Sequence, residues 1–234
     1  MKPPVPTNLD LMRMHVHALY CHDEHSRITS INDWQGAAAP RFYLGRTDAG
    51  VLWRFGTTLP VDVCEKLEAL CNDEPLTPFD RPRHESSYVR ILSTLSTVKQ
   101  VWHGPAYWFS RGIPEADGPI LINQNNAQLL SGGLRAWLPD VPHQQPLAAI
   151  VEDGRAVSVC ASVRITPTAH EAGVETLESH RRKGYAVSVV SAWAMAVEML
   201  SALPMYSTST ENTASQCVAA RLGLSTYGVD FHIV

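Results

Sequence analysis

The chain is predicted to fold as an α/β protein with a mixed β-sheet, and three observations over its second half support this prediction. Two apolar runs, 147–151 and 156–165, flank the turn-forming residues 152–155 and indicate a β-hairpin. A long apolar helical pattern then lies between two strand-like segments, and a second helical pattern precedes a final strand. These segments are 171–177 (strand), 183–200 (helix), 205–209 (strand), 213–222 (helix) and 225–234 (strand).

The first half of the chain is less regular, although strand-like and helix-like segments also alternate there. Thr7 and Asp10 form a capping-box pattern, and Leu11, Met14, Ala18 and Cys21 follow at helical spacing. Further predicted elements are strands at 42–44, 51–55, 98–109 and 119–122, and helices at 60–70, 85–95 and 124–138, the last interrupted by Gly132-Gly133.

Composition restricts the class of protein. The 234 residues are 45% hydrophobic and 18% charged, as in an ordinary soluble globular protein. A net charge of −4 argues against general binding to nucleic acid or to a membrane surface, both of which require a basic field. No apolar run is long enough to span a membrane, and the N-terminal segment lacks the apolar core of a signal peptide. Because the five cysteines are irregularly spaced, we expect reduced thiols and a cytoplasmic location.

The most informative motif is the cationic turn before the long helix. Arg181, Arg182 and Lys183 directly precede Gly184, and the small Ala186 follows. The first N–H groups of a helix are unpaired and carry the positive end of the helix dipole. A glycine at this position allows an anion to approach the backbone closely, so the sequence predicts a site for a pyrophosphate.

The pattern Arg181-x-x-Gly184-x-Ala186 after a strand resembles the acetyl-CoA signature of the GNAT N-acetyltransferase superfamily. The resemblance continues through a strand at 205–209 and a helix that opens on Asn212 and ends on Leu222-Gly223. It covers about residues 145–234. It implies a GNAT-like fold, in which a mixed, mostly antiparallel central sheet is flanked by helices.

The resemblance also implies a domain organisation. Residues 116–234 would form the acyl-CoA-binding acyltransferase domain, with the first strand and early helices of the fold coming from about 118–138. Residues 1–115 would form an N-terminal α/β extension or a degenerate second lobe, and no motif assigns a role to it.

The implied activity is transfer of an acetyl group from acetyl-CoA, as co-substrate, to a primary amine by direct attack in a ternary complex. The backbone of Val174 and Thr176 would pair with the pantetheine arm. The pyrophosphate would lie on the loop of Arg181, Arg182, Lys183, Gly184, Tyr185 and Ala186, and Asn212 and Ser215 would contact the cofactor from the next helix.

A general base is needed because an alkylammonium must lose a proton before it attacks. Glu175, which is closest to the loop, is the first candidate, and Glu171 is the second. Alternation puts both on one face of the strand, but the bulge that is typical of this strand in the family leaves open which one faces the substrate. The tyrosine that many members carry seven residues after the asparagine is Ala219 here, so Tyr206, Tyr227, Ser209, Ser215 or water would have to protonate the leaving thiolate.

Two alternatives accompany this interpretation. The missing tyrosine favours a catalytically inactive, acyl-CoA-binding regulatory module. Separately, His17, Cys21 and His25 would share one helix face and could bind a metal ion, although we assign no metal ligand. The acceptor, a small-molecule amine or a peptide amine, and the oligomeric state stay open.

Overall fold

In a computed structural model of the chain, the structure describes residues 5–76 and 81–234, which form two units. The first unit contains the described residues up to Tyr107 together with 207–212 and 226–234. The second unit contains 108–206 and 213–225. This is a division by structure, so the functional boundary between residues 115 and 116 stays a prediction.

The first unit is an α/β structure, as predicted for the N-terminal part of the chain. Its larger sheet has the strand order β4-β3-β11-β5, in which β3 is antiparallel to β4 and to β11, and β1 and β2 form a small antiparallel pair. Its elements are α1 (Asn8–Leu19), β1 (Tyr20–His22), β2 (Ile28–Ile31), β3 (Phe42–Thr47), β4 (Gly50–Phe55), α2 (Val61–Cys71), α3 (Glu85–Ser93), β5 (Val101–Trp108) and β11 (Ser225–Ile233).

Helix α1 begins with the predicted capping box. The backbone N–H of Asp10 donates to Thr7 Oγ1, and the backbone N–H of Thr7 donates to Asp10 Oδ2. The helix ends at Leu19, because Tyr20 has extended backbone angles and pairs with Ile31 of β2.

The second unit contains the GNAT-like arrangement that the sequence predicted. Its strands follow the order β10-β9-β8-β7-β6, with three antiparallel pairs and one parallel pair, β9 with β10. Its elements are β6 (Ile120–Ile122), β7 (Leu147–Glu152), β8 (Arg155–Ile165), β9 (Ala169–Thr176), α4 (Tyr185–Met199), β10 (Leu203–Ser207) and α5 (Thr213–Arg221). The predicted fold class, a mixed and mostly antiparallel sheet with flanking helices, is confirmed.

The two faces of this sheet are covered differently. One face packs against a core that includes Leu134, Leu147 and Val159. On the other face lies α4, whose buried Trp193 donates its indole N–H to Ser162 Oγ of β8 (2.9 Å). The hairpin of β7 and β8 turns through Asp153-Gly154, both at positive φ, as a two-residue hairpin turn requires.

The prediction of an α-helix at 124–138 is wrong. The structure has two short 3₁₀ helices instead, at Ala127–Leu129 and Gly132–Asp140. Glycine at 132–133 and Pro139 inside the second segment both disfavour a regular α-helix.

Within the described ranges, no helix combines the length and the apolar character that crossing a membrane would require. The five cysteines are free thiols.

Candidate functional site

Strands β9 and β10 separate partway along their length. They pair at three positions only, the last of which joins Glu171 to Met205. Strand β9 continues to Thr176, and its other edge stays paired with β8 over this length. In the part of the chain that the structure describes, no register pair links β9 to β10 beyond Glu171. The edge of residues 172–176 is therefore open on this side, and an extended ligand could pair with it as an added strand does.

The two candidate bases lie on the same face of β9. The extra residue of the expected bulge is in the neighbouring strand β8, at Val163, because the register moves from Ser162–Ala172 to Arg164–Glu171. The expectation of a bulge in β9 is therefore corrected. Regular alternation puts Glu171 and Glu175 on one face, together with Gly173.

These two carboxylates have different surroundings. Glu171 is buried, with 2% of its surface exposed, and lies where the pairing of β9 with β10 ends. Glu175 is exposed, and its Oε2 accepts a hydrogen bond from the indole N–H of Trp137 (2.6 Å). A Cβ at Gly173 would clash with Val163 Cγ1 and lie 3.3 Å from the same indole ring. Glycine therefore accommodates first the Val163 side chain and then Trp137 beside the strand.

Val174 and Thr176 lie on the opposite face of β9 from the two glutamates. Thr176 Oγ1 is 2.7 Å from Ser158 Oγ of β8, and Val174 is opposite Cys160. Their main-chain groups border the open edge, where Arg181 Nε lies 3.5 Å from the Thr176 carbonyl oxygen. The pairing of these groups with the pantetheine arm stays a prediction.

The cationic loop leads into α4 as predicted. Arg181, Arg182 and Lys183 are exposed. Gly184 is the N-cap residue at φ +85°, a backbone conformation that favours glycine, and nothing lies within 4 Å of the position a Cβ would take. No side chain caps the helix that starts at Tyr185-Ala186, so its first N–H groups face outward. The loop and this helix end can hold an anion.

One carboxylate that the sequence did not identify contacts this loop. Glu152, at the end of β7, accepts a hydrogen bond from the Tyr185 hydroxyl. Its Oε2 lies 3.2 Å from His180 Nε2 and 3.6 Å from Lys183 Nζ. The Tyr185 hydrogen bond, with Lys183 and His180 nearby, lowers the pKa of Glu152, and the same bond raises the pKa of the Tyr185 hydroxyl. We call these four residues the Glu152 cluster.

Ser215 is in the first turn of α5, and its Oγ is 2.6 Å from the Tyr206 hydroxyl. Tyr206 is the first residue of β10 after the last pair with β9. Ala219, in place of the family's tyrosine, is buried. Asn212 belongs to the first unit, where its backbone N–H donates to the carbonyl of Ser209.

The predicted metal-binding face of the N-terminal helix does not form. Cys21 lies in β1, and His25 is in the turn after it, because α1 has already ended. Across residues 5–76 and 81–234, no group of three or more His, Cys, Asp or Glu side chains is arranged to hold a metal ion.

Sequence reasoning missed Glu152 and Trp137 as neighbours of the site. Glu152 was correctly placed beside the hairpin turn, but no local signal connects that turn with a helix start 33 residues later. Trp137 was hidden in a segment interpreted as an ordinary helix. The one available signal was Gly173, since glycine inside a strand often marks the close approach of another group.

Residues 148–228 match the family model described as GNAT acetyltransferase. This match confirms the resemblance of the C-terminal part of the chain to the GNAT superfamily. In this GNAT region, β9, the Arg181–Ala186 loop and α4 occur in the order that the resemblance implied. The chain matches no curated protein.

Solved GNAT structures resemble the chain only distantly. A GNAT-family protein from Novosphingobium aromaticivorans is 15% identical with a TM-score of 0.49, and the match covers 58% of this chain and 65% of that one, slightly under two thirds of its length. An N-acetyltransferase-like protein from Streptococcus suis is 14% identical (TM-score 0.49; 84% and 85% covered). An acetyltransferase from Colwellia psychrerythraea is 13% identical (TM-score 0.48; 81% of each chain covered). Similarity at this level says nothing about substrates.

Proposed function

We propose that the protein is an N-acetyltransferase that moves an acetyl group from acetyl-CoA to a primary amine by direct attack in a ternary complex. The observation that carries this proposal is the open edge of β9, which leads directly into the Arg181–Ala186 loop at the start of α4. An extended chain ending in a pyrophosphate fits such an arrangement. The five free thiols suit a reducing compartment, so the proposal includes a cytoplasmic location.

The residues present fit acetyl-CoA. The uncapped N–H groups of α4 and the exposed Arg181 and Arg182 would bind the pyrophosphate. The main chain of Val174 and Thr176 would pair with the pantetheine arm, whose amides match strand hydrogen bonding. Ser215 and Asn212 would contact the cofactor, as the family resemblance implies.

The direction in which acetyl-CoA would lie favours one of the two candidate bases. If the pyrophosphate binds at the loop, the thioester would lie toward the other end of the open edge, where Glu171 is located. The two ends are separated by about 17 Å, five residues of strand, which an extended pantetheine arm can span. We therefore assign the general base to Glu171 ahead of Glu175, which is beside the pyrophosphate end. In the reaction, Glu171 would accept the proton of the ammonium, directly or through one water, before the amine attacks.

The leaving thiolate needs a hydrogen-bond or proton donor, and Ala219 cannot supply one. The hydroxyl pair of Tyr206 and Ser215 takes this role in the proposal, since it lies on β10 and α5 where the two central strands have separated. As the electron pair of the breaking C–S bond moves to sulfur, a hydroxyl hydrogen bond would stabilise the thiolate until it takes a proton.

The test is calorimetric titration with acetyl-CoA, together with a thiol-release assay over a panel of primary amines. We expect binding and amine-dependent release of CoA. Glu171→Gln should lower kcat about 10²- to 10³-fold with little change in the affinity for acetyl-CoA, because a positioned base contributes about that much. Glu175→Gln is the matched control. If Glu175→Gln has the larger effect on kcat, Glu175 is the base; if acetyl-CoA does not bind, the proposal is wrong.

The second candidate is an acyl-CoA-binding regulatory module without turnover. The observation that favours it is the buried Ala219 at the position of the family's tyrosine. Tight binding of acetyl-CoA without thiol release on any amine of the panel would support this candidate over the enzyme.

A further inference from the structure

The Glu152 cluster joins two distant parts of the second unit. Glu152 comes from the tip of the β7–β8 hairpin, whereas His180, Lys183 and Tyr185 come from the loop and helix start of the cofactor site. The contacts are made by three different donors: an imidazole, an ammonium and a phenol. Lys183 Nζ also lies 5.5 Å from the centre of the Tyr185 ring, within cation–π range.

These contacts divide the three cations of the loop into two groups. Lys183 is paired with Glu152, so its charge is already partly compensated within the protein. Arg181 and Arg182 lie between the points where His180 and Lys183 contact Glu152, and both are exposed. Arg182 has a positive φ of 64°, which is unusual for a residue other than glycine and which the surrounding contacts must maintain.

We infer that Glu152 is a positioning residue for cofactor binding: it fixes His180, Lys183 and Tyr185, and thereby presents Arg181, Arg182 and the first N–H groups of α4 to the pyrophosphate. This inference rests on the proposed function. Glu152 would act through the loop rather than by contact with the phosphates. A preorganised loop binds more tightly because less conformational freedom is lost when the ligand arrives.

Electrostatic repulsion alone predicts the opposite effect of a Glu152 substitution on the affinity for CoA. A carboxylate near a polyanion repels it, so its removal should tighten the binding of CoA. Glu178 provides the matched comparison, since it lies in the same loop and is exposed. Among the described residues its side chain makes no hydrogen bond or ion pair. Positioning by Glu152 therefore predicts that Glu152→Gln weakens CoA binding, whereas Glu178→Gln does not.

The experiment measures the Kd for CoA by calorimetry in the parent chain and in Glu152→Ala, Glu152→Gln and Glu178→Gln. We expect Glu152→Ala to raise Kd about tenfold, the size of one lost hydrogen bond to a charged group. Glu152→Gln should raise it about threefold, because glutamine can still accept from Tyr185 but not pair with Lys183. Glu178→Gln should leave Kd unchanged or slightly lower. If Glu152→Gln lowers Kd as Glu178→Gln does, Glu152 is only a repulsive charge and the inference is wrong.

A double-mutant cycle of Glu152 and Tyr185 distinguishes positioning by Glu152 from a general loss of structure. Tyr185→Phe should raise Kd about threefold in the parent chain but have no further effect in Glu152→Ala, since the hydroxyl then has lost its acceptor. Equal effects in both backgrounds would show that Tyr185 and Glu152 act independently.

Amide hydrogen exchange in the absence of CoA tests whether Glu152 holds the loop, independently of the proposed function. In Glu152→Ala the amides of residues 181–186 should exchange faster, while those of β7 and β8 keep their protection. Unchanged exchange at 181–186 would overturn the inference. If the parent chain does not bind CoA, the proposed function fails, and hydrogen exchange still decides whether Glu152 holds the loop.

Discussion

The two units use charged side chains in different ways. In the first unit, Arg46 and Glu74 have fully buried side chains whose charged atoms are 3.7 Å apart. In the second unit, Glu152, His180 and Lys183 form their contacts at the surface, with 22–46% of each side chain exposed. A buried charge cannot meet a ligand and, once formed, must stay paired, whereas a charged loop at the surface can bind an anion. The charges of the first unit therefore maintain structure, whereas those of the 181–186 loop are exposed, as the proposed binding of a cofactor requires.

Glu74 shows how completely a buried carboxylate must be satisfied. It accepts hydrogen bonds from the backbone N–H groups of Arg83 and His84 and from the Tyr88 hydroxyl, in addition to the contact with Arg46. Burial beside this carboxylate raises the pKa of Tyr88 far above its ordinary value, so the phenol stays a donor.

Asp230 is satisfied in a similar way. Its carboxylate lies 3.4 Å from His15 Nε2 and 3.2 Å from His232 Nδ1. Burial pushes the pKa of Asp230 up, but the two imidazoles outweigh this and hold it below the ordinary value.

The largest expected effect concerns the buried pair of Arg46 and Glu74 in the first unit. Glu74→Ala should lower the free energy of unfolding by about 3–5 kcal/mol, because it leaves Arg46 charged and buried without this partner. Urea unfolding measures the change. The double variant Arg46→Met with Glu74→Leu should recover part of the loss, since it removes both charges. A Glu74→Ala variant as stable as the parent would contradict a structural role for the pair.

The second prediction tests the cofactor loop. Gly184→Asp should weaken CoA binding at least about 100-fold while the protein stays folded, because aspartate is among the residues that best tolerate positive φ but adds a negative charge at the proposed phosphate site. Gly184→Asn is the control of equal size without the charge, and it should bind CoA more tightly than Gly184→Asp. Calorimetry gives both affinities, and circular dichroism checks the fold. Unchanged affinity in Gly184→Asp would remove the loop from the cofactor site.

The smallest expected effect is a pH dependence of folding stability that arises from His22 in the first unit. Burial, together with nearby His17 and Arg54, lowers the pKa of His22 from 6.5 to about 4. The unfolded chain therefore binds a proton more readily, so stability is highest above pH 6.5 and falls as the pH drops toward 4. Because the side chain is only half-buried, we discount the loss to about 1–2 kcal/mol.

His22→Gln should reduce this pH dependence, as measured by urea unfolding above pH 6.5 and near pH 4. His25→Gln, at a side chain that is 76% exposed, is the control and should leave the profile unchanged. A parent-like profile in His22→Gln would mean that other groups cause the acid sensitivity.

Some of these features could be predicted from the sequence and others could not. The Arg181–Gly184 turn is local, since its cations, its glycine and the apolar helix after it are adjacent in the chain, and the structure has them in the predicted arrangement. The helix through Cys21 failed because the pairing of Tyr20 with Ile31 ends α1 early. Such pairing depends on a partner strand, which helical spacing does not reveal.

The sequence by itself therefore determined the order of strands and helices over residues 147–234, the α/β class and the cationic turn before α4, because each follows from periodicity or from neighbouring residues. Only the tertiary structure decided that the pairing of β9 with β10 stops at Glu171, that the bulge lies in β8, and that Glu152 joins the loop. These features depend on the register between strands and on contacts across 33 residues or more, which no local pattern of side chains specifies.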